Sequence, residues 1–445
     1  MNPLQKLRME SESIWRKGVM AVDPSGLVVR FVNSDPGFQL HLKNSERILI
    51  VGAGKASAAM GLGLEQQIKH FLPKAHGILN VPEANYPNLQ KIKLNLARPL
   101  GMNQPTAKAV EGSKLMLQLA KGAREGDLLI ALISGGGSAL MPLPSEGVSL
   151  EDKQKVTSIL SSCSASINEL NCVRKHLSQI KGGRLAQAFL EATNGKGNIY
   201  SLILSDVIED KLDVIGSGPT VNDPTTFKDA ITILEKYQLI QSVPDSVLRH
   251  LKKGLEGEIL ETPKDLPGDI KNIVLGNNAL ALESAAIHAE HLGYHVINLG
   301  SCMEGDTAAL AIFHASIARS ILKYGQPVKP PVCILSGGET TVNLGKNPGK
   351  GGRNQEMALA FLCALKEQGL ERITFLAGGS DGEDGPSDAA GAFADGNTLQ
   401  QSGSMNASDY LTRHDAYHYF KNSNSLFQPG PTGTNVMDLR VLLVV

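Results

Sequence analysis

The chain has 445 residues, more than one hydrophobic core usually serves, so two domains are expected. Its 43 basic residues against 44 acidic ones leave a formal charge of -1, which excludes a global field for holding nucleic acid or an anionic membrane, so any phosphate chemistry must be local. Cysteines 163, 172, 302, 333 and 363 are odd in number and lack CxxC spacing, which argues against a disulfide framework and a structural zinc site and points to a reducing compartment, the cytoplasm.

The N-terminal stretch MNPLQKLRMESESIWRKG has no apolar run. Nowhere does the chain reach the roughly 18 uninterrupted apolar residues of a membrane span. Strand signals are short apolar runs ending in glycine or serine: RILIVG (47–52), LLIALISG (128–135), YSLILSD (200–206), NIVLGN (272–277), VCILSGG (332–338) and ITFLAGG (373–379). Runs this continuous predict strands buried on both faces. Helical patterns follow several of them, ASAAMGLGLEQQIKHFL after the first and ALALESAAIHAEHLG after the fourth. Alternating βα units predict two Rossmann-like α/β lobes with mainly parallel sheets and an active-site cleft between domains. The glycine, proline and charge of GLEGEILETPKDLPG (254–268) place the boundary there, giving domains 1–260 and 268–445.

The first chemical candidate is IVGAGKAS, where Gly52, Gly54, Lys55 and Ser57 join a strand to a helix. Free N–H groups and the positive dipole end of a helix suit an anion, with Lys55 adding a full charge. It is neither a Walker A loop nor a complete dinucleotide fingerprint, and a well-capped turn with a surface lysine explains it equally well. Ser134, Gly135, Gly136, Gly137 and Ser138 form a second candidate, since consecutive glycines let backbone amides line an anion nest. In NCVRKHLSQIKGGRLA, a helix would set Arg174, Ser178 and Lys181 on one face, beside Lys175, His176 and Arg184. A solvated basic face fits that pattern as well, and His176 reads as a surface or hydrogen-bonded core histidine.

Carboxylates form the next group: Asp206 and Asp210 after the third strand, and Asp381, Glu383, Asp384 and Asp388 in SDGEDGPSDAAG. Magnesium prefers one or two carboxylates plus water and phosphate oxygens, although aspartates also cap helices and make turns. Arg353 in GKGGRNQEMALAF stands just ahead of Asn354, the expected cap of a helix running to about Lys366, and its guanidinium can grip an oxyanion with directed donors. The paired glycines of SGGET (Ser336, Gly337, Gly338, Glu339, Thr340) echo those of SGGGS, and PTGTNV supplies Asn435. Two loops, Asn343 to Gly352 and Ser380 to Gly391, are too long and polar to be simple turns.

Taken in order, IVGAGKAS, LISGGGSALM, VRKHLSQIKGGRLA, LSDVIED, GSGPTVNDPTT, LSGGETTV, GGRNQEMALA, GGSDGEDGPSDAAGA and GPTGTNV resemble the type II glycerate 2-kinases, from about Ile14 to Val436. Those proteins join an N-terminal domain of unknown-function type to a MOFRL domain. The resemblance implies ATP-dependent phosphorylation of D-glycerate to 2-phosphoglycerate with Mg²⁺, and it maps the family's essential lysine and arginine onto Lys55 and Arg353. The segment ARPLGMNQPTAKA departs from the family's histidine-proline-acid element, and Glu209 stands where the family's LSDVxGD stretch carries glycine. The expected cast is then Lys55, Arg353 and Asp206 as catalytic groups, with Asp206 favoured as base over Asp381. Asp206, Asp381 and Asp384 would hold the metal, and the glycine loops and Asn435 the nucleotide. ATP and a small hydroxy acid are the expected partners of a monomer or homodimer, with no nucleic acid and no membrane. The alternative is an NAD(P)H-dependent hydroxypyruvate reductase, for which Glu83 is the nearest acid to a ribose.

Overall fold

The computed structural model describes residues 2–99, 102, 104–345, 347–365 and 368–445. The chain forms two compact units, Pro24–Leu275 and, together, the segment ending at Asp23 and Gly276–Val445. The first is built on β1 (Ile48–Ala53), β2 (Ala75–Pro82), β3 (Ile92–Arg98), β4 (Leu128–Ile133), β5 (Asn198–Leu204) and β6 (Asp269–Gly276), in the order β3-β2-β1-β4-β5-β6. The pairings β1–β2, β1–β4, β2–β3 and β4–β5 are parallel. Every residue of β1 and β4 is buried, as their unbroken apolar runs predict. On one face, Leu49, Val51, Leu129 and Ala131 pack against Ala109, Met116 and Phe189 of the flanking helices Ala107–Lys121 and Arg184–Ala192.

A second, all-helical core in this unit joins Leu150–Ser162, Ile167–His176, Phe227–Lys236 and Asp245–Leu255 around Val156, Val173, Phe227 and Leu251. It alters the reading of the basic segment. The helix Ile167–His176 ends before Ser178, which bridges to Pro144, so Arg174, Ser178 and Lys181 do not share a helical face. Nor is the face solvated: Lys175, His176, Ser178 and Lys181 are all buried. His176 is a hydrogen-bonded core residue, its Nδ1 2.8 Å from Cys172 O and its Nε2 2.9 Å from Glu261 Oε1.

The second unit holds β7 (His295–Asn298), β8 (Met303–Asp306), β9 (Val332–Thr341), β10 (Ile373–Gly379), β11 (Gly391–Asp395), β12 (Leu426–Phe427) and β13 (Asp438–Val444). The order is β12-β11-β10-β13-β9-β7, with β8 beside β9. This sheet is mixed, unlike the parallel first one. β7 and β8 run parallel to β9, whereas β13 is antiparallel to both β9 and β10, and β11 to β10 and β12. The connection from β10 to β11 is too short for the helical crossover that a parallel pair requires. The helices Thr307–Tyr324 and Arg353–Leu365 share one core with Ile334, Phe375 and Leu442, and the helix Pro3–Ala21 buries Trp15 against β10.

As compact units, the chain divides differently from 1–260 and 268–445 in two places. The helix Pro3–Ala21 spends its apolar stripe (Leu7, Ile14, Trp15, Val19) on the second unit, with Trp15 Nε1 donating to Gly378 O at 3.3 Å. The stretch Gly254 to Gly268 leads into β6, which still belongs to the first sheet. Lys366, the expected end of the helix at Arg353, lies outside the described residues, as do Leu100, Gly101 and Asn103 of ARPLGMNQPTAKA. Among the described residues, no helix is long and apolar enough to cross a membrane.

Candidate active site

In the first unit the turn after β1 and the turn after β4 are stapled together. Ser134 Oγ accepts from Ala56 N–H at 3.0 Å, Lys55 N–H donates to Gly135 O at 2.9 Å, and Ser57 Oγ donates to Leu132 O at 3.1 Å. Ser57 and Ser134 are therefore buried fasteners whose hydroxyls are engaged between the two turns. Gly52 lies within β1, where a Cβ would run into the Leu132 backbone, and a Cβ on Gly54 would strike Ser134 Oγ. Both glycines exist for this close approach.

Gly136 is the residue that faces charge. It adopts a left-handed conformation at φ 77° and caps the short helix Gly137–Leu140. A Cβ there would lie 3.1 Å from Arg98 Nη2 and 3.7 Å from Lys55 Cγ, so the guanidinium of Arg98 and the stem of Lys55 stand beside the turn. Arg98, at the end of β3, was not among the expected residues; its position one residue before a proline, with β3 itself unrecognised, gave no signal. It is almost wholly buried, and its Nη1 donates to Met102 O. Ser138 Oγ meets Ser217 Oγ at 2.8 Å, which ties SGGGS to the SGPT turn. Asp206, two residues past β5, is half-buried.

The second unit gathers its chemistry around Arg353. Its Nε and Nη2 donate to Asp438 Oδ2 and Oδ1 at 2.7 and 3.0 Å, and its Nη1 donates to Glu339 Oε1 at 2.7 Å. Burial works against the guanidinium's charge, but the carboxylates of Asp438 and Glu339 more than offset it and hold the pKa above its ordinary value. Asp438 is fully buried and also accepts from Asn354 Nδ2 at 2.9 Å and Arg440 Nη2 at 3.2 Å. Arg440 is itself buried, with Nε and Nη1 lacking an acceptor among the described residues. Neither Asp438 nor Arg440 was anticipated, because VMDLRVLLVV gives no periodic signal that its first turn carries charge inward.

Several of the expected ligands hold bonds within the fold. SGGET is no loop but the continuation of β9, and Ser336 is buried with its Oγ 2.9 Å from His314 Nε2. Gly337 and Gly338 make room for Asn278 and for the backbone of β8, and Thr340 accepts from Thr307 Oγ1 at 2.9 Å. Glu339 alone of the five is exposed. Asp384 is a helix cap: Oδ1 accepts from Asn354 N–H at 3.0 Å and Oδ2 from Gln355 N–H at 2.9 Å and Gln355 Nε2 at 3.0 Å. Asn354 is thus inside the helix rather than capping it. With both oxygens occupied by donors, Asp384 does not fit a metal ligand. Asp381, half-buried, accepts from Glu383 N–H at 3.1 Å, and Asn435 Oδ1 accepts from Met437 N–H at 3.3 Å. Among the described residues, no three acidic, histidine or cysteine side chains gather as a metal-binding group.

Residues 10–252 match the family described as a domain of unknown function, DUF4147, and residues 332–438 match the MOFRL family. A protein named glycerate 2-kinase from Pyrococcus horikoshii is 38% identical over 96% of this chain and 95% of its own length. D-glycerate 2-kinase from Thermotoga maritima is 36% identical over 99% of both chains. The crystal structure of the Thermotoga maritima glycerate kinase superposes with a TM-score of 0.84 at 34% identity, covering 99% of this chain and 100% of that one. The chain belongs to the type II glycerate kinase family.

Membership gives meaning to one departure. Glu209 occupies the place where the resemblance expects a glycine, and its backbone is left-handed at φ 62°, as is that of Asp210 at φ 52°. The turn has kept the conformation that glycine adopts without strain. For a glycerate kinase the alternative ribose ligand is also accounted for, since Glu83 pairs with Lys108 at 3.0 Å on the surface.

Proposed function

We propose that this protein transfers the γ-phosphoryl group of ATP to the 2-hydroxyl of D-glycerate. Support comes chiefly from the Arg98 guanidinium and the Lys55 side chain beside Gly136, in a chain similar over nearly its whole length to proteins named glycerate 2-kinase. Phosphoryl transfer asks mainly for positioning and charge stabilisation. Backbone amides after β1 and β4 would receive the nucleotide's phosphates, with Lys55 and Arg98 balancing their charge. Arg353 would act on the phosphoryl group as it moves. Its Nε, one Nη1 hydrogen and one Nη2 hydrogen are committed to Asp438 and Glu339, which fixes the plane of the fork.

Asp206 is the proposed acceptor of the hydroxyl proton. Magnesium, carried with ATP, would neutralise phosphate charge, with Asp206 and Asp381 as its proposed ligands. We place the reaction in the cytoplasm. The test is ADP release coupled to absorbance with D-glycerate and L-glycerate, followed by phosphorus NMR of the product. Release that depends on D-glycerate and a 2-phosphoglycerate signal are expected; ATP turnover indifferent to glycerate would reject the assignment.

A further inference from the structure

Buried Lys175 has carboxylate partners, its Nζ 2.8 Å from Asp223 and 3.3 Å from Asp213. Three neighbours do not. Lys153 is buried with Nζ donating to Leu177 O at 2.9 Å. Lys181 is buried with Nζ donating to Gly216 O at 3.0 Å and Ser217 Oγ at 3.4 Å. Arg174, half-buried in the last turn of Ile167–His176, makes no hydrogen bond or ion pair among the described residues. Two buried lysines with only neutral acceptors, next to a guanidinium with none among the described residues, is an arrangement that folding alone disfavours. Burial, and then the neighbouring charges, push the pKa of Lys153 down to about 7 and that of Lys181 well below the lysine range. An anion placed among them would relieve that repulsion.

The two lysine ammoniums are already directed at carbonyl and hydroxyl oxygens, so the uncommitted planar fork is Arg174. Ser217 Oγ, which receives Lys181 Nζ, donates to Asn171 Oδ1 at 3.2 Å and meets Ser138 Oγ at 2.8 Å. This chain of polar contacts runs from Lys181 to Ser138 of the SGGGS turn, whose Gly136 has Arg98 and the stem of Lys55 beside it. One fork matches a monoanionic carboxylate, and the Ser217 and Ser138 hydroxyls reached through Lys181 match a hydroxy acid, while Arg98 and Lys55 at Gly136 would serve the polyphosphate.

We propose that Arg174, within the field of Lys181 and Lys153, binds the carboxylate of the acceptor and sets the enzyme's preference for an acid over a neutral polyol. The proposal rests on the glycerate kinase assignment above. The experiment uses the full chain with Arg174→Gln and Arg174→Lys, measuring KM for D-glycerate, for neutral D-glyceramide and for ATP, together with Tm. The expected result for Arg174→Gln is a KM for D-glycerate raised by about 30-fold or more, with KM for ATP changed by less than about twofold. Its preference for glycerate over glyceramide should vanish. Its Tm should hold or rise, since a repelling charge has gone, whereas a merely structural arginine would lower it. Arg174→Lys keeps the charge without the fork and should fall between, and it carries the test if the glutamine variant does not fold. Unaltered KM for glycerate, or a rise confined to ATP, would overturn the acceptor site while leaving the kinase assignment standing. A wild-type chain that phosphorylates no glycerate would overturn both.

Discussion

Arg353 and Asp438 meet side by side as a two-pronged ion pair, Nε to Oδ2 at 2.7 Å and Nη2 to Oδ1 at 3.0 Å, across the start of a helix and the start of β13. Lysine has no second prong to offer. If the orientation of this fork serves the transferring phosphoryl group, Arg353→Lys should lower kcat by about 10³-fold or more with little change in KM for ATP. Asp438 would still be held by Arg440 and Asn354 in that variant, so the circular dichroism spectrum should be that of the wild type. Near-normal turnover in steady-state assays would remove Arg353 from the chemistry.

The same pair makes the opposite substitution a stability experiment. Asp438 is fully buried between Arg353 and Arg440, and Arg440 has no other carboxylate within hydrogen-bonding distance among the described residues. Asp438→Asn leaves a buried guanidinium facing a neutral amide, which typically costs about 3–5 kcal/mol. Urea denaturation should show that loss as a lower midpoint, and the variant should stay destabilised even with ATP present. A midpoint within error of the wild type would mean that Arg440 finds another acceptor.

The buried parallel strands were readable because burial on both faces leaves an unbroken apolar run, as in ILIVGA and LLIALI. β2 and β3 were not, since AHGILNVP and IKLNLAR are interrupted by polar residues whose partners are distant: Asn80 Nδ2, for instance, donates to Leu140 O at 2.6 Å. Lys55 and Arg353 could be named from glycine context alone. What the sequence concealed is direction. SGGGS and SGGET look alike, but the first is a turn with Gly136 left-handed and the second runs on within strand β9. Asp384 and Asp206 look equally suited to a metal, and only the donors around Asp384 reveal a helix cap. Polarity shows in a sequence; the partner that satisfies it does not.

A strained turn offers a test of the family comparison. Glu209 holds φ 62° without being glycine, and a left-handed residue with a Cβ carries roughly 1–2 kcal/mol of strain. Among the described residues its side chain pairs only with exposed Lys211, at 2.7 Å, a surface contact of small worth. Against the entropy that glycine adds to the unfolded chain, about 0.5–1 kcal/mol, Glu209→Gly should come out neutral to about 1 kcal/mol more stable. Thermal denaturation measures the difference. A clear destabilisation would show that the carboxylate of Glu209 has a role that its surface pairing does not reveal.

Lys153 predicts a pH dependence whose sign is unusual for a lysine. Its folded pKa lies at about 7, lowered by burial and then by Arg174, while the unfolded side chain titrates near its ordinary value. Between those two values the unfolded chain binds the extra proton, so stability should rise as pH increases from about 7 toward 10. The contribution of this one group is at most about 1.4 kcal/mol per pH unit. Lys153→Met removes it, and Leu177 O keeps a donor in Ser145 N–H at 3.1 Å. Urea midpoints of wild type and variant, measured from pH 7 to 9.5, should therefore differ most at the neutral end, with the variant more stable, and converge as pH rises. Parallel curves would mean that Lys153 stays protonated throughout, held by an anion bound beside Arg174 or by water that reaches the ammonium.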